Sequence, residues 1–96
     1  MNDINVIKLV FNKSTTRLAG NPYGVSVYKE QVEDKIDYSK INIIEFPDNI
    51  EKAASSFVQG FFAEIVEQIG YSNIGRVVKI KASNESLEES IYRDLI

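Results

Sequence analysis

The 96-residue chain contains no cysteine and no histidine. Without cysteine there is no disulfide framework and no thiol nucleophile. Without histidine the chain lacks the commonest general base and the commonest transition-metal ligand, so a zinc site built from His and Cys is excluded. We therefore expect no metal, no cofactor and no catalytic residue, and a protein that is not an enzyme.

Basic side chains are too few and too scattered for a nucleic-acid surface. Six basic and five acidic side chains stand in the first 44 residues, and five basic and nine acidic in the remainder. Neither half forms the basic footprint that a phosphate backbone requires. The chain also lacks an apolar run of about 18 residues, and its start, MNDINVIKLVF, lacks the positive charge of a secretory signal. We expect a cytoplasmic protein that binds neither nucleic acid nor membrane.

The hydrophobic pattern predicts alternating strands and helices. Short apolar, β-branched runs predict strands, and apolar residues three and four apart predict helices. The predicted strands are Ile4–Phe11, Ile41–Phe46 and Arg76–Ala82, with a short additional one within Thr15–Ala19. The predicted helices are Val25–Ile36, Ala54–Ile69 and a last helix capped by Ser83 or Asn84. This alternation predicts one α/β domain over residues 1–96, a mixed, mostly parallel sheet of about four strands covered by about three helices.

Single residues predict where the helices begin, end and pack. Asn21 is a plausible N-cap and Pro22 suits a first helical turn, although a plain loop to Gly24 is the alternative. Gly60 lies inside the second helix, where it costs about 1 kcal/mol relative to alanine, and this indicates close packing against a neighbour. Gly70 ends that helix as a C-terminal cap. We expect the phenylalanines of this helix to lie in the core.

Three blocks of the sequence carry a family resemblance: TRLAGNPYG, INIIEFPDNIEKAASSFVQGFFAEIVEQIG and VVKIKASNESLEESI. With them the chain resembles the STAS-like domains of unknown function, bacterial relatives of the STAS domains of anti-sigma-factor antagonists. The resemblance covers most of the chain from Thr15 onward. The residues that carry it are Arg17, Gly20, Tyr23, Gly24, Glu45, Ser55, Ser56, Phe57, Gly60 and Phe61.

The resemblance implies a STAS-like fold and a protein–protein interaction role. In the antagonists, a serine at the start of the second helix is phosphorylated by a histidine-kinase-like ATPase, and the unmodified domain binds that ATPase and displaces a sigma factor. Carried over to this chain, the resemblance makes Ser55 and Ser56 the phosphorylation candidates. The implied partner-binding residues are Arg17, Gly20, Glu45, Asp48, Ser55 and Ser56.

The same residues have plainer interpretations. Ser55 or Ser56 would contribute roughly 1 kcal/mol as an N-cap, a role that is compatible with phosphorylation. Arg17 would be a surface or loop-tethering arginine. Glu45 and Asp48 would be solvated loop charges at the end of a strand.

Two other functions remain open from the sequence. The antagonists have an acid followed by Ser-Ser-Gly-Leu, whereas here Ala53-Ala54 precedes the serines and Phe57-Val58 follows them. This departure leaves room for a phage- or plasmid-encoded protein that binds and blocks a host protein without any phospho-switch. The least favoured alternative is an enzyme that uses carboxylate, lysine, serine or tyrosine chemistry. The sequence also leaves a homodimer open.

Overall fold

The computed structural model describes residues 3–95 as five strands and four helices. In chain order these are β1 Ile4–Lys8, β2 Arg17–Leu18, α1 Asn21–Gln31, β3 Ile41–Glu45, β4 Lys52–Ala53, α2 Ser55–Ile69, α3 Tyr71–Val77, β5 Val78–Lys81 and α4 Glu85–Leu95. The main sheet is parallel, with strand order β1-β3-β5, and β2 and β4 form a separate parallel pair. The predicted α/β domain with a mostly parallel sheet is therefore confirmed.

The two faces of the main sheet have different surroundings. Ile7 on β1, Ile44 on β3 and Ile80 on β5 are register neighbours, and all three are buried beneath the helices. Side chains along one strand point alternately to the two faces of the sheet. The residues next to Ile7, Ile44 and Ile80 in the sequence therefore point to the face away from the helices. There Ile4 is 60% exposed and Val6 is 51% exposed. The helices thus cover one face and leave much of the other open.

Helix α2 supplies the aromatic centre of the core. Phe57, Phe61 and Phe62 are at most 1% exposed, as predicted. The ring centroids of Phe61 and Phe62 lie 4.9 Å apart with the rings nearly perpendicular, an arrangement that the charge distribution of aromatic rings favours. Burying each ring contributes about 1.5–3 kcal/mol relative to leaving it in water. The apolar residues that recur every four positions therefore form the face of α2 that packs into the core.

Helices α1 and α2 cross with their backbones in contact. A Cβ on Gly60 would overlap the backbone of Asn21, and a Cβ on Gly24 would overlap the carbonyl oxygen of Phe57. The close packing predicted for Gly60 is confirmed. Glycine at both positions lets the two helices approach more closely than any larger residue would allow.

The first helix begins earlier than the hydrophobic pattern predicts. Residue Asn21, not Val25, is its first residue, and the N-cap is Gly20. Gly20 has a φ of 99°, which a residue with a side chain rarely adopts. Pro22 then stands in the first turn, as predicted. The apolar stripe alone places the start too late, whereas the Pro22 signal comes within one residue of it; the cap is Gly20 and not Asn21, so that part of the prediction is wrong.

The segment after α2 was predicted incorrectly. Gly70, with a φ of 78°, ends α2 as expected, but Arg76 and Val77 belong to the additional helix α3 and not to a strand. Strand β5 begins only at Val78. The β-branched valines favour a strand locally, but the helical turn buries Ile74 in the core, and tertiary packing overrides that weak preference.

Side chains mark two further boundaries. Strand β1 stops at Lys8 and not at Phe11, and beyond it the Gln31 amide donates to the carbonyl of Val10 at 2.8 Å and accepts its N–H at 2.7 Å. Helix α4 is capped by Asn84, whose Oδ1 accepts the N–H of Leu87 at 2.6 Å, so one of the two predicted caps is confirmed.

Candidate functional site

The first turns of α1 and α2 lie side by side. The N–H of Gly20 donates to Oγ of Ser56 at 3.1 Å, across 36 positions of sequence. The N–H of Ala54 donates to the carbonyl of Leu18 at 2.7 Å, which holds the entry of α2 against β2. The structure therefore brings together Gly20 and Ser56, two residues that the family resemblance selects.

The serines at the start of α2 do not cap it, so that interpretation is wrong. The N-cap is Ala54, which has the extended backbone of a cap residue but no side-chain acceptor. Ser55 and Ser56 are the first two helical residues, and both are exposed. An N-cap oxygen bonds an N–H two or three residues ahead, so a hydroxyl already inside the helix is poorly placed for this role. The first N–H groups of α2 are left without a side-chain cap.

A groove of about 490 Å³ runs between the β2–β4 pair and α4. Leu18, Ala53 and Leu87 line it, and all three are core residues that are at most 6% exposed. Arg17 and Lys52, which are register partners on β2 and β4, are exposed lining residues. The lining is completed by Ala19, Glu51, Ala54, Ser86 and Ser90. The groove therefore combines an apolar floor with two basic residues, Arg17 and Lys52, and one acidic residue, Glu51.

Sequence reasoning missed this groove because it missed β4. Two residues, Lys52 and Ala53, are too few to show a periodicity. Their pairing depends on backbone groups far away in the chain: the N–H groups of Glu51 and Lys52 both donate to the carbonyl of Thr16, at 2.7 and 3.2 Å. Only Arg17 was selected beforehand, through the resemblance.

Glu45 and Asp48 lie at a different place, the end of β3 and the loop that follows. They line a separate hollow of about 280 Å³ together with Lys8, Leu9, Phe46 and Pro47. The Glu45 carboxylate is 3.9 Å from Nζ of Lys81, while Asp48 is exposed. An exposed ion pair of this kind contributes at most about 1 kcal/mol. The six predicted partner-binding residues thus divide into a helix-start group and a strand-end group.

The titrating groups with displaced pKa values lie away from the groove. Burial raises the pKa of the Tyr28 hydroxyl well above its ordinary range, and this residue packs against Phe61 in the core. Hydrogen bonds from Ser39 lower the pKa of Asp37, in the loop before β3. Neither residue is among those that line the groove.

Within residues 3–95, no three acidic side chains come close enough together to hold a metal ion. Over the same range, none of the helices has both the length and the apolar character needed to cross a membrane.

Comparison with protein-family models, with curated proteins and with solved structures found no match. The STAS-like family therefore remains a prediction from sequence resemblance.

Proposed function

We propose that this chain is a protein-interaction module of the STAS-like type that binds its partner at the start of α2 and along the adjoining groove. The observation that carries the proposal is the position of Ser55. This residue is exposed, does not cap the helix, and directly follows Ala54, which lines the groove. Arg17 and Lys52 stand beside the same groove. We call Ser55, Ser56 and the groove residues the α2 surface.

The α2 surface has the two components of a protein-binding site. Leu18, Ala53 and Leu87 offer an apolar floor that would accept an apolar side chain of the partner. Arg17 and Lys52 offer a polar rim that would accept a carboxylate. Binding energy concentrates where an anchor side chain fills such a depression and polar groups around it exclude water.

A phosphate on Ser55 would change this surface in two ways. It would lie over the first turn of α2, where N–H groups without a side-chain cap and the helix dipole favour an anion. It would also attract Arg17 and Lys52, so that the partner loses the rim cations and meets added charge and bulk. Ser56 is less suited, because its hydroxyl already holds the N–H of Gly20. The proposed switch residue is therefore Ser55.

The partner that the resemblance implies is a histidine-kinase-like ATPase that binds the unmodified chain and phosphorylates it. One observation favours a second candidate, binding without any switch. Phe57 and Val58, which follow the serines, are 1% exposed. A kinase that reads residues after its target serine cannot reach them while α2 is folded. Under this alternative the chain blocks its partner permanently, as a phage or plasmid factor would.

The test combines phosphate mapping with partner binding. The chain is isolated from the cells that make it, mapped by mass spectrometry, and its captured partner is identified and purified. We expect phosphate on Ser55, and partner affinity that falls at least tenfold, about 1.4 kcal/mol, in Ser55→Asp but stays within twofold in Ser55→Ala. Ser72→Asp, a matched change on exposed α3, is the control and should bind like wild type.

Two results would contradict parts of the proposal. Undiminished binding by both Ser55→Asp and Ser56→Asp would leave the second candidate, binding without a switch. Undiminished binding by a double variant, Arg17→Ala with Lys52→Ala, would show that the partner does not use the α2 surface. Circular dichroism of each variant establishes that the fold is retained.

A further inference from the structure

The outer edge of β5 is closed by neighbouring groups. Three backbone N–H groups point away from β3 along this edge, and each has an acceptor. The N–H of Val78 donates to the carbonyl of Ile74, that of Ile80 to the Tyr92 hydroxyl at 2.8 Å, and that of Ala82 to the Glu88 carboxylate at 2.9 Å. Natural sheets cover edges in this way to prevent unwanted strand pairing.

The outer edge of β1 lacks such hydrogen-bond partners within residues 3–95. The bonds from Leu9 N–H to Glu45 and from Ile41 N–H to Asp3 place the odd-numbered residues of β1 against β3. In a parallel ladder the alternate residues, Ile4, Val6 and Lys8, then direct their N–H and C=O groups outward. No hydrogen bond to these outward groups occurs among residues 3–95.

Free backbone groups coincide with exposed apolar side chains at this edge. Ile4 and Val6 are 60% and 51% exposed, on the sheet face that the helices leave open. Beyond Lys8 the edge closes again, because the Gln31 amide bonds both backbone groups of Val10. The open edge therefore extends over β1 and stops there.

Charges along the sheet indicate what would pair with this edge. Lys8, Glu45 and Lys81 are register neighbours on β1, β3 and β5, so one row across the sheet alternates positive, negative and positive. The next position in the row, beside Lys8, is empty. An acidic side chain there would continue the alternation, and opposite charges facing each other across strands are favourable.

We propose that the β1 edge binds an extended segment of a partner protein as a fourth strand of the main sheet. The segment places apolar residues beside Ile4 and Val6 and an acidic residue beside Lys8. It runs antiparallel, the direction with the more stable ladder. A second copy of β1 paired about Val6 would set Lys8 beside Ile4 and supply no acid, so the charge pattern favours a different protein. This edge is separate from the α2 surface, and the inference does not depend on the proposed function.

The probe is a synthetic seven-residue peptide whose central residues read Glu, Thr, Val, Thr, Val. It is titrated into the isotope-labelled chain and followed by amide shifts and hydrogen exchange. We expect saturable shifts on β1, and slowed exchange of the Ile4, Val6 and Lys8 amides, since strand addition bonds those groups. A peptide with Lys in place of Glu should bind about fivefold more weakly.

Variants of the chain separate backbone pairing from side-chain contact. Val6→Pro removes the outward N–H and replaces the valine side chain by another apolar group, at a position where an edge strand tolerates proline, and should lower peptide affinity at least tenfold. Val6→Thr keeps the N–H and should bind within threefold of wild type. Lys8→Gln should abolish the preference for the acidic peptide. Thermal melts establish that each variant is folded.

Three outcomes would overturn the proposal. One is an absence of amide protection on β1 at millimolar peptide. Another is equal peptide binding by wild type and Val6→Pro. The third is a dimer in sedimentation experiments whose β1 amides are protected without peptide, which would make a second copy the occupant of this edge.

Discussion

Gly24 of α1 and Gly60 of α2 meet at the crossing of the two helices, where a Cβ on Gly24 would lie 3.2 Å from the carbonyl carbon of Gly60 and 2.7 Å from the nitrogen of Phe61. This contact sets the position of one helix start relative to the other. Because the crossing is close, Oγ of Ser56 comes within hydrogen-bonding distance of Gly20. Packing in the core and the geometry of the α2 surface are therefore linked.

Replacing either glycine at the crossing should destabilise the protein. Gly24→Ala puts a methyl group against backbone atoms that cannot move aside, so we expect the free energy of unfolding to fall by about 3 kcal/mol. Gly75→Ala is the matched control, since a Cβ at Gly75 in α3 meets nothing within 4 Å. It should raise stability by about 0.5–1 kcal/mol through helix propensity. Urea denaturation measures both, and a wild-type midpoint for Gly24→Ala would contradict the close crossing.

Asn42, which is fully buried, should not tolerate the isosteric change to aspartate. Its Nδ2 donates to the carbonyls of Asp37, Lys40 and Val77 at 2.8, 3.2 and 3.3 Å, and its Oδ1 accepts from Asn5 Nδ2 at 2.7 Å. In Asn42→Asp a carboxylate faces those carbonyl oxygens without a donor, and we expect a loss of about 3 kcal/mol or more at neutral pH.

The pH dependence of the stability distinguishes the loss of the hydrogen bonds from Nδ2 from a change in packing. A protonated aspartate at position 42 recovers one donor, so Asn42→Asp should lose less stability relative to wild type at pH 4 than at pH 7. Chemical denaturation at the two pH values measures the difference. An equal loss at both would contradict the hydrogen-bonding role of Nδ2.

The closed β5 edge should open when its acceptors are removed. Tyr92→Phe leaves the N–H of Ile80 without its partner, and Glu88→Ala does the same for Ala82. Each should cost about 1 kcal/mol and accelerate amide exchange at its own donor. Glu89→Ala, on the exposed side of α4, should change neither quantity. Unchanged exchange in Tyr92→Phe would mean that the hydroxyl does not protect this edge.

Burial of Tyr28 should make the protein less stable at alkaline pH. Its pKa is raised in the folded state, so the unfolded chain releases this proton first, from about pH 10 upward. The stabilisation is complete below that pH and declines as the pH rises further. Tyr28→Phe removes the titrating group and should flatten the decline, whereas Tyr71→Phe, at an exposed tyrosine, should not. Denaturation at pH 9, 10 and 11 measures the slopes.

Elements with a clear hydrophobic period were predictable, whereas the start of α1 and the two-residue strand β4 were not. The period of four placed α2 within one residue of its observed start, because burial of Phe57, Phe61 and Ile65 coincides with helix geometry. The start of α1 depends on the φ of Gly20, which no periodicity reports. Strand β4 exists only because Thr16 lies beside Lys52 in the folded chain, and pairing at that distance is invisible to a local pattern.

The site was predictable only in part, because it too depends on contacts between residues far apart in the sequence. Family resemblance selected Arg17, Gly20 and Ser56, and in the structure Gly20 and Ser56 share a hydrogen bond. It placed Glu45 in the same surface, whereas Glu45 pairs with Lys81 on the sheet. The groove needs α4 packed beside β4, a relationship between elements more than 30 residues apart that sequence reading did not supply.

Helix α4 is the last described element to leave the ribosome, which gives its contacts with β5 a role in synthesis. Until Tyr92 and Glu88 arrive, the N–H groups of Ile80 and Ala82 have no acceptor, and the nascent sheet is open along both β1 and β5. Two open edges allow molecules to join end to end into a polymer, whereas one open edge ends growth at a single added strand. We therefore expect that docking of α4 limits pairing between copies at the β5 edge, and that a chain cut short before residue 85 polymerises more readily.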